Sequence, residues 1–204
     1  YDVSTVTPLT AAERLSRRLD NHILMKREDL QPVHSFKCRG AYNKIAGLSP
    51  EERSAGVIAA SAGNHAQGVA LAARKLGIKA LIVMPKTTPS IKVESVRDFG
   101  ASIKLVGDAY DDAYAWAAER AAEKGIPFIH PYDDPLTIAG QGTIGVEILD
   151  QHAEHIHAIF VPVGGGALLA GLPAAVKALR PPVRIIGVTP VVAPSMTEPR
   201  RRGR

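Results

Sequence analysis

Gly56-Val-Ile-Ala-Ala-Ser-Ala-Gly-Asn-His-Ala-Gln-Gly-Val-Ala-Leu-Ala-Ala-Arg-Lys-Leu-Gly-Ile-Lys-Ala-Leu-Ile-Val-Met84 decides the fold class of this 204-residue chain. Gly56–Ala60 is a short apolar run of strand length. After a polar turn, Ala66, Val69, Ala70, Ala73 and Leu76 recur at helical spacing, and Gly77 ends that pattern. A second apolar run, Ala80–Met84, follows. A strand, a helix and a strand in that order form the unit of a parallel sheet wound with helices. Further strands are predicted outward from this unit at Ile23–Arg27, Ser102–Val106, Pro127–His130, Ala158–Val163 and Arg184–Val188. The clearest further helix is Ala109–Lys124, with Asp108 as its N-cap, Asp111 and Asp112 at its positive end, and Gly125 then Pro127 as its stop. The fold class is therefore α/β with parallel sheets.

Composition narrows the functional classes. An apolar content of 46% is that of a globular protein, and no apolar run approaches the roughly 20 residues of a membrane span. No basic-then-apolar leader stands at the N-terminus, and the expected location is cytoplasmic. Cys38 is the single cysteine, which excludes an internal disulfide. The formal charge is +5, but Arg200, Arg201, Arg202 and Arg204 against Glu198 account for more than half of it. Residues 191–204 read as a basic tail. Nothing interleaves aromatic with basic residues, so neither nucleic acid nor a membrane is an expected partner.

Three segments carry residues suited to chemistry. In Lys26-Arg-Glu-Asp-Leu-Gln-Pro-Val-His-Ser-Phe-Lys-Cys-Arg-Gly-Ala-Tyr-Asn43, Lys37 opens a helical pattern behind Pro32 and Ser35, with Ser35 as the expected N-cap. A lysine at the positive end of a helix is electrostatically disfavoured, so its place there needs another reason. Covalent capture of an aldehyde is one. The run Gly164-Gly-Gly-Ala-Leu168 stands between a strand and a helical pattern through Leu179. Successive glycines let backbone N–H groups converge on an anion at a helix N-terminus, although a tight turn holding nothing has the same composition. Ser61-Ala-Gly-Asn-His65 also joins a strand to a helix and offers hydroxyl, amide and N–H donors for a carboxylate and a polar ring substituent. The competing roles are an N-cap for Ser61 or Asn64 and a buried helix position for His65. His34 reads as structural, Cys38 as packing, and Lys26-Arg-Glu-Asp29 as the charged end of a strand. His152, His155 and His157 lack cysteine support, and no metal site is expected.

These segments, with Ala80-Leu-Ile-Val-Met-Pro85, Ile138-Ala-Gly-Gln-Gly-Thr143 and Val161-Pro-Val-Gly-Gly-Gly-Ala-Leu-Leu-Ala-Gly171, resemble in order and spacing the threonine dehydratases. That family lies in the tryptophan synthase β-like, fold type II group of pyridoxal phosphate enzymes, and the likeness runs from about Tyr1 to about Gly187. It implies two parallel-sheet α/β domains with pyridoxal 5'-phosphate between them. Residues 1–52 and 135–190 would build the large domain, left incomplete, and 53–134 the small one. The resemblance makes Lys37 the catalytic lysine. It puts Phe36 and Asn64 against the cofactor ring, Gly164, Gly165, Gly166, Ala167 and Leu168 around its phosphate, and Ser61, Ala62, Gly63, Asn64 and His65 around the substrate carboxylate. Ala167 stands where the family usually has a fourth glycine. The implied activity is a lyase converting L-threonine to 2-oxobutanoate and ammonia in isoleucine biosynthesis, with L-serine as a second substrate, in a homo-oligomer. The alternatives are serine dehydratase or serine racemase activity, or a non-catalytic remnant. After Gly187 the chain departs from the family pattern and is expected to be truncated, with an uncovered apolar face.

Overall fold

In the computed structural model, which describes residues 1–191, strand β1 (Leu9–Ala11) leads through helix α1 (Glu13–Leu19) to β2 (Leu24–Lys26), and the two strands pair antiparallel. A 3-10 turn over Glu28–Leu30 then leads to α2 (Lys37–Ala46). The short α3 (Pro50–Ala55) is capped by the Ser49 hydroxyl, which accepts from the Glu52 amide. Next come β3 (Val57–Ala60), α4 (Asn64–Leu76), β4 (Ala80–Met84), α5 (Ser90–Arg97), β5 (Ser102–Leu105) and α6 (Tyr110–Lys124). The described chain ends with α7 (Pro135–Gln151), β6 (Ala158–Pro162), α8 (Ala167–Leu179) and β7 (Arg184–Val188).

Strands β3, β4 and β5 form a parallel sheet in that order, with Val57 opposite Ala80 and Leu81 opposite Ser102. Alternation along β3 and β4 feeds two cores. Val57, Ala59, Ile82 and Met84 face α2, α4 and α5, whereas Ile58, Ala60 and Val83 meet Ala113, Ala117 and Ala121 of α6. A third core joins Ile144, Ile148 and Leu149 of α7 to Val161 of β6 and to Leu168, Leu172 and Val176 of α8. Strand β6 pairs parallel with β7, and Phe160 of β6 stays 67% exposed.

Several expectations need correction. Pro127–His130 is not a full strand; it makes one bridge, Ile58 to Phe128. Pro127 has no N–H to donate, so this edge is limited to Ile58 N–H on the Pro127 carbonyl and Ile129 N–H on the Ile58 carbonyl. Strand β2 ends at Lys26, and Glu28 lies in the 3-10 turn rather than at the end of a strand. The turn aims Glu28 inward at Arg39, 2.8 Å away. Asp108 does not cap α6. Ala109 holds the cap position, and the Asp112 carboxylate reaches back to accept from the Asp108 and Ala109 amides, both at 3.0 Å. Residues 192–204, including most of the basic tail, lie outside the described residues.

Candidate active site

Lys37 is the first residue of α2. Its N-cap is Phe36, without a side-chain cap bond, and not Ser35, whose hydroxyl is buried with no partner. Helix α2 lies close on α4, because Gly68 presents no side chain. A Cβ there would come within 3.0 Å of the Lys37 carbonyl carbon and oxygen. The Lys37 side chain is half-buried, and its ammonium donates to the Pro131 carbonyl at 2.8 Å, 5.6 Å from the Phe36 ring centroid. Burial lowers its pKa, which favours the neutral amine. The neighbouring Cys38 thiol is buried among Val3, Val33 and Leu71 and pushed up to about 11 by burial, so it is a packing residue and not a nucleophile.

Ser61, Ala62 and Gly63 leave the carboxyl end of β3, the side of a parallel sheet where ligands bind. Neither Ser61 nor Asn64 caps α4. The N-cap is Gly63, the Ser61 hydroxyl accepts from the Gly63 amide at 3.2 Å, and Asn64 is exposed. The first N–H groups of α4 are therefore available to an anion. His65 is buried. Its Nε2 lies 2.8 Å from the Ile129 carbonyl, which makes Nε2 the donor and leaves Nδ1 a buried acceptor without a partner. Burial pushes its pKa down to about 4. A neutral ring in this tautomer repels a carboxylate, so any contact of His65 with one runs through its backbone N–H.

The glycine run ends in Gly166 at φ 95°, a left-handed N-cap that turns the chain into α8 without a side-chain cap. Ala167 and Leu168 are buried in the first turn. A Cβ on Gly63 or on Gly164 would meet nothing within 4 Å, so both loops border open space. A Cβ on Gly165 would collide with the ring of Tyr132. Phe36 packs against the core that holds Val161 and Leu168, which links the lysine to the glycine loop.

The residues that the motifs singled out thus gather from α2, the start of α4 and the start of α8. What sequence reasoning missed is the segment Pro131-Tyr-Asp-Asp-Pro135, which reads as a turn-rich boundary. In the fold its carbonyl holds the lysine and its tyrosine lies on the glycine loop. A backbone carbonyl carries no sequence signal, so only a partner for Lys37 could have been sought. His34, exposed at φ 54° with Nδ1 3.3 Å from the Asp29 carbonyl, takes no part. No group of His, Cys, Asp or Glu that could hold a metal occurs among the described residues. A groove of about 480 Å³ beside the end of α6, lined by Glu52, Ala118, Pro127 and Phe128 among others, contains none of the site residues.

The site fits pyridoxal phosphate on three observations: a desolvated amine, a glycine loop opening on free space before an uncapped helix, and a second uncapped helix beside it. A family model described as pyridoxal-phosphate dependent enzyme matches residues 2–204. The biosynthetic L-threonine dehydratase of Pasteurella multocida is 58% identical over 188 residues, which cover 92% of this chain and 36% of that protein. Among solved structures, the processed form of threonine deaminase isoform 2 from Solanum lycopersicum superimposes with a TM-score of 0.97 at 52% identity, over 100% of this chain and 56% of that one. Maize serine racemase gives 0.94 at 36% identity, over 98% and 61%. The chain spans about a third of the length of the curated relatives it matches.

Proposed function

This chain belongs to the pyridoxal-phosphate dependent enzymes, and we propose that within that family it serves as a threonine ammonia-lyase of the biosynthetic type. The substrate would be L-threonine, the products 2-oxobutanoate and ammonia, and the pathway isoleucine biosynthesis. The observation that carries this reading is the Lys37 amine, half-buried at the start of α2 and made less basic by burial. Lys37 would hold the cofactor covalently, with Phe36 and Asn64 along its ring. The amides of Gly164 to Leu168 and the positive end of α8 would take its phosphate. The amides of Ser61 to His65 at the start of α4 would take the amino acid carboxylate. When bound, the cofactor supplies an electron sink for charge developing at the substrate α-carbon.

Lys37 Nζ, once released, would accept the α-proton, a task that suits an amine whose charged form is destabilised. The Pro131 carbonyl gives that nitrogen a fixed direction while it carries protons. Loss of the β-hydroxyl as water would leave a released enamine, which a water molecule would hydrolyse to 2-oxobutanoate and ammonia; L-serine meets the same requirement and would give pyruvate. Serine dehydratase or racemase chemistry is the second reading, favoured by the likeness to maize serine racemase. We further propose the division into residues 1–52 with 135–190 and residues 53–134, a cytoplasmic location and a homo-oligomer. Among the described residues no helix is long and apolar enough to cross a membrane.

The test is to mix purified chain with pyridoxal phosphate, reduce with borohydride and map the modified residue by mass spectrometry. Selective modification of Lys37, lost in Lys37→Ala together with 2-oxobutanoate production from threonine, is the expected result. Absent or scattered modification of surface lysines would overturn it.

A further inference from the structure

Residues 130–134 form a strap whose two ends are anchored by different means. At the first end, Nδ1 of His130 accepts from the Asp133 amide at 2.7 Å and from the Tyr132 amide at 3.3 Å. At the second, Asp134 accepts from the Thr137 amide at 2.9 Å as the N-cap of α7 and pairs with Lys44 of α2 at 2.8 Å. Between the anchors, the Pro131 carbonyl receives the Lys37 ammonium, and the Tyr132 ring lies on Gly165.

We propose that His130 is a positioning residue for Lys37: its unprotonated Nδ1 turns the strap so that the Pro131 carbonyl meets the amine and Tyr132 covers the glycine loop. Both amides point at one ring nitrogen, so that nitrogen carries a lone pair and no proton. A proton on Nδ1 would face two N–H donors and release the turn. The surroundings keep the ring neutral. His130 is half-buried, its ring flanked by those of Tyr114 of α6, Phe128 and Tyr132 at centroid distances of 6.1, 6.2 and 4.6 Å. Burial lowers its pKa, Asp133 and Asp134 oppose that shift, and Lys37 adds to it. His65 of α4 is the remaining titratable group that feels it. The importance of this device for turnover rests on Lys37 being the cofactor lysine; its existence does not.

The experiment uses the chain without added cofactor, so that its failure is distinct from failure of the lyase reading. Protection factors of the Tyr132 and Asp133 amides are measured by hydrogen exchange. Acetylation of Lys37 by acetic anhydride is measured against the exposed Lys92. His130→Phe keeps an aromatic ring but has no acceptor. His130→Asn keeps a side-chain oxygen that can accept from the amides two and three residues on. At pH 8, His130→Phe should lower both protection factors and speed Lys37 acetylation, each about fivefold, the scale of one net hydrogen bond. His130→Asn should match the parent there. On acidification the parent should lose protection at these amides while His130→Asn keeps it. The proposal is overturned if His130→Phe keeps parental protection and labelling, or if parent and His130→Asn lose protection together. Should His130→Phe not fold, the acid comparison of parent and His130→Asn decides alone.

Discussion

His65 and Lys37 occupy one small volume, and both are held away from their charged forms by burial. For His65 the effect reaches stability. Its folded value of about 4 lies below the ordinary 6.5, so between these values the unfolded chain binds the proton and the folded one does not. Stability is complete above about pH 6.5 and falls as the pH drops towards 4, by roughly 3 kcal/mol in total. His65→Gln removes this titration while keeping an N–H for the Ile129 carbonyl. Urea unfolding at pH 7.5 and pH 5 should therefore show a smaller acid loss for the variant than for the parent. An equal loss in both would show that His65 is not the group being protonated.

At the scale of elements, α2, α7 and α8 are packed through glycines. Gly40 of α2 faces Gly140 of α7, where a Cβ would stand 2.6 Å from the Gly40 Cα and 2.7 Å from the Arg39 carbonyl. Gly142 meets Gly171 of α8 in the same way. These contacts are backbone to backbone, so no rotamer change can relieve them. Gly140→Ala should cost about 1–3 kcal/mol despite the better helix propensity of alanine. Gly77 differs: at φ 68° it ends α4 with nothing within 4 Å of an added Cβ, so the only penalty is the left-handed backbone, and Gly77→Asn, which tolerates that region best, should cost less than Gly140→Ala. Paired urea curves check both. A midpoint unchanged in Gly140→Ala would mean that the helices are free to separate.

For the molecule as a whole, a buried ion network binds the N-terminal segment to the helices that carry the site. Arg39, two residues after Lys37, meets Glu28 at 2.8 Å and Glu147 of α7 at 2.5 Å, and Lys26 of β2 meets Glu147 as well. Burial alone would raise the Glu147 pKa, but hydrogen bonds and charge from Arg39 and Lys26 outweigh it and hold the carboxyl low. Its contribution is thus present above the unfolded carboxylate value and lost as the pH falls through the lower folded one. Glu147→Gln leaves two buried cations facing one carboxylate fewer and should cost about 3–5 kcal/mol at pH 7. The penalty should shrink once the pH falls through the lowered folded value, where the parent's own carboxylate is protonated. A loss below 1 kcal/mol at pH 7 would mean that water reaches the pair.

Local patterns in the sequence suffice for the alternation of strands and helices, the parallel sheet and the positions of the loops that open α4 and α8. These patterns are the short apolar runs of Val57–Ala60 and Ala80–Met84, the helical period of α4, and the glycine run before α8. Shorter or less regular elements escape them, such as β1, whose pairing with β2 depends on a partner beyond a turn. Pro127–His130 read as a strand because apolar content does not register a missing donor at Pro127. The docked elements alone turn Glu28 inward to Arg39, set His65 against Ile129 through Nε2, and bring Pro131 to Lys37 as its acceptor from 94 residues away. Such contacts depend on which backbone groups remain unpaired after the helices dock, and that is a property of the assembled fold rather than of any window of sequence.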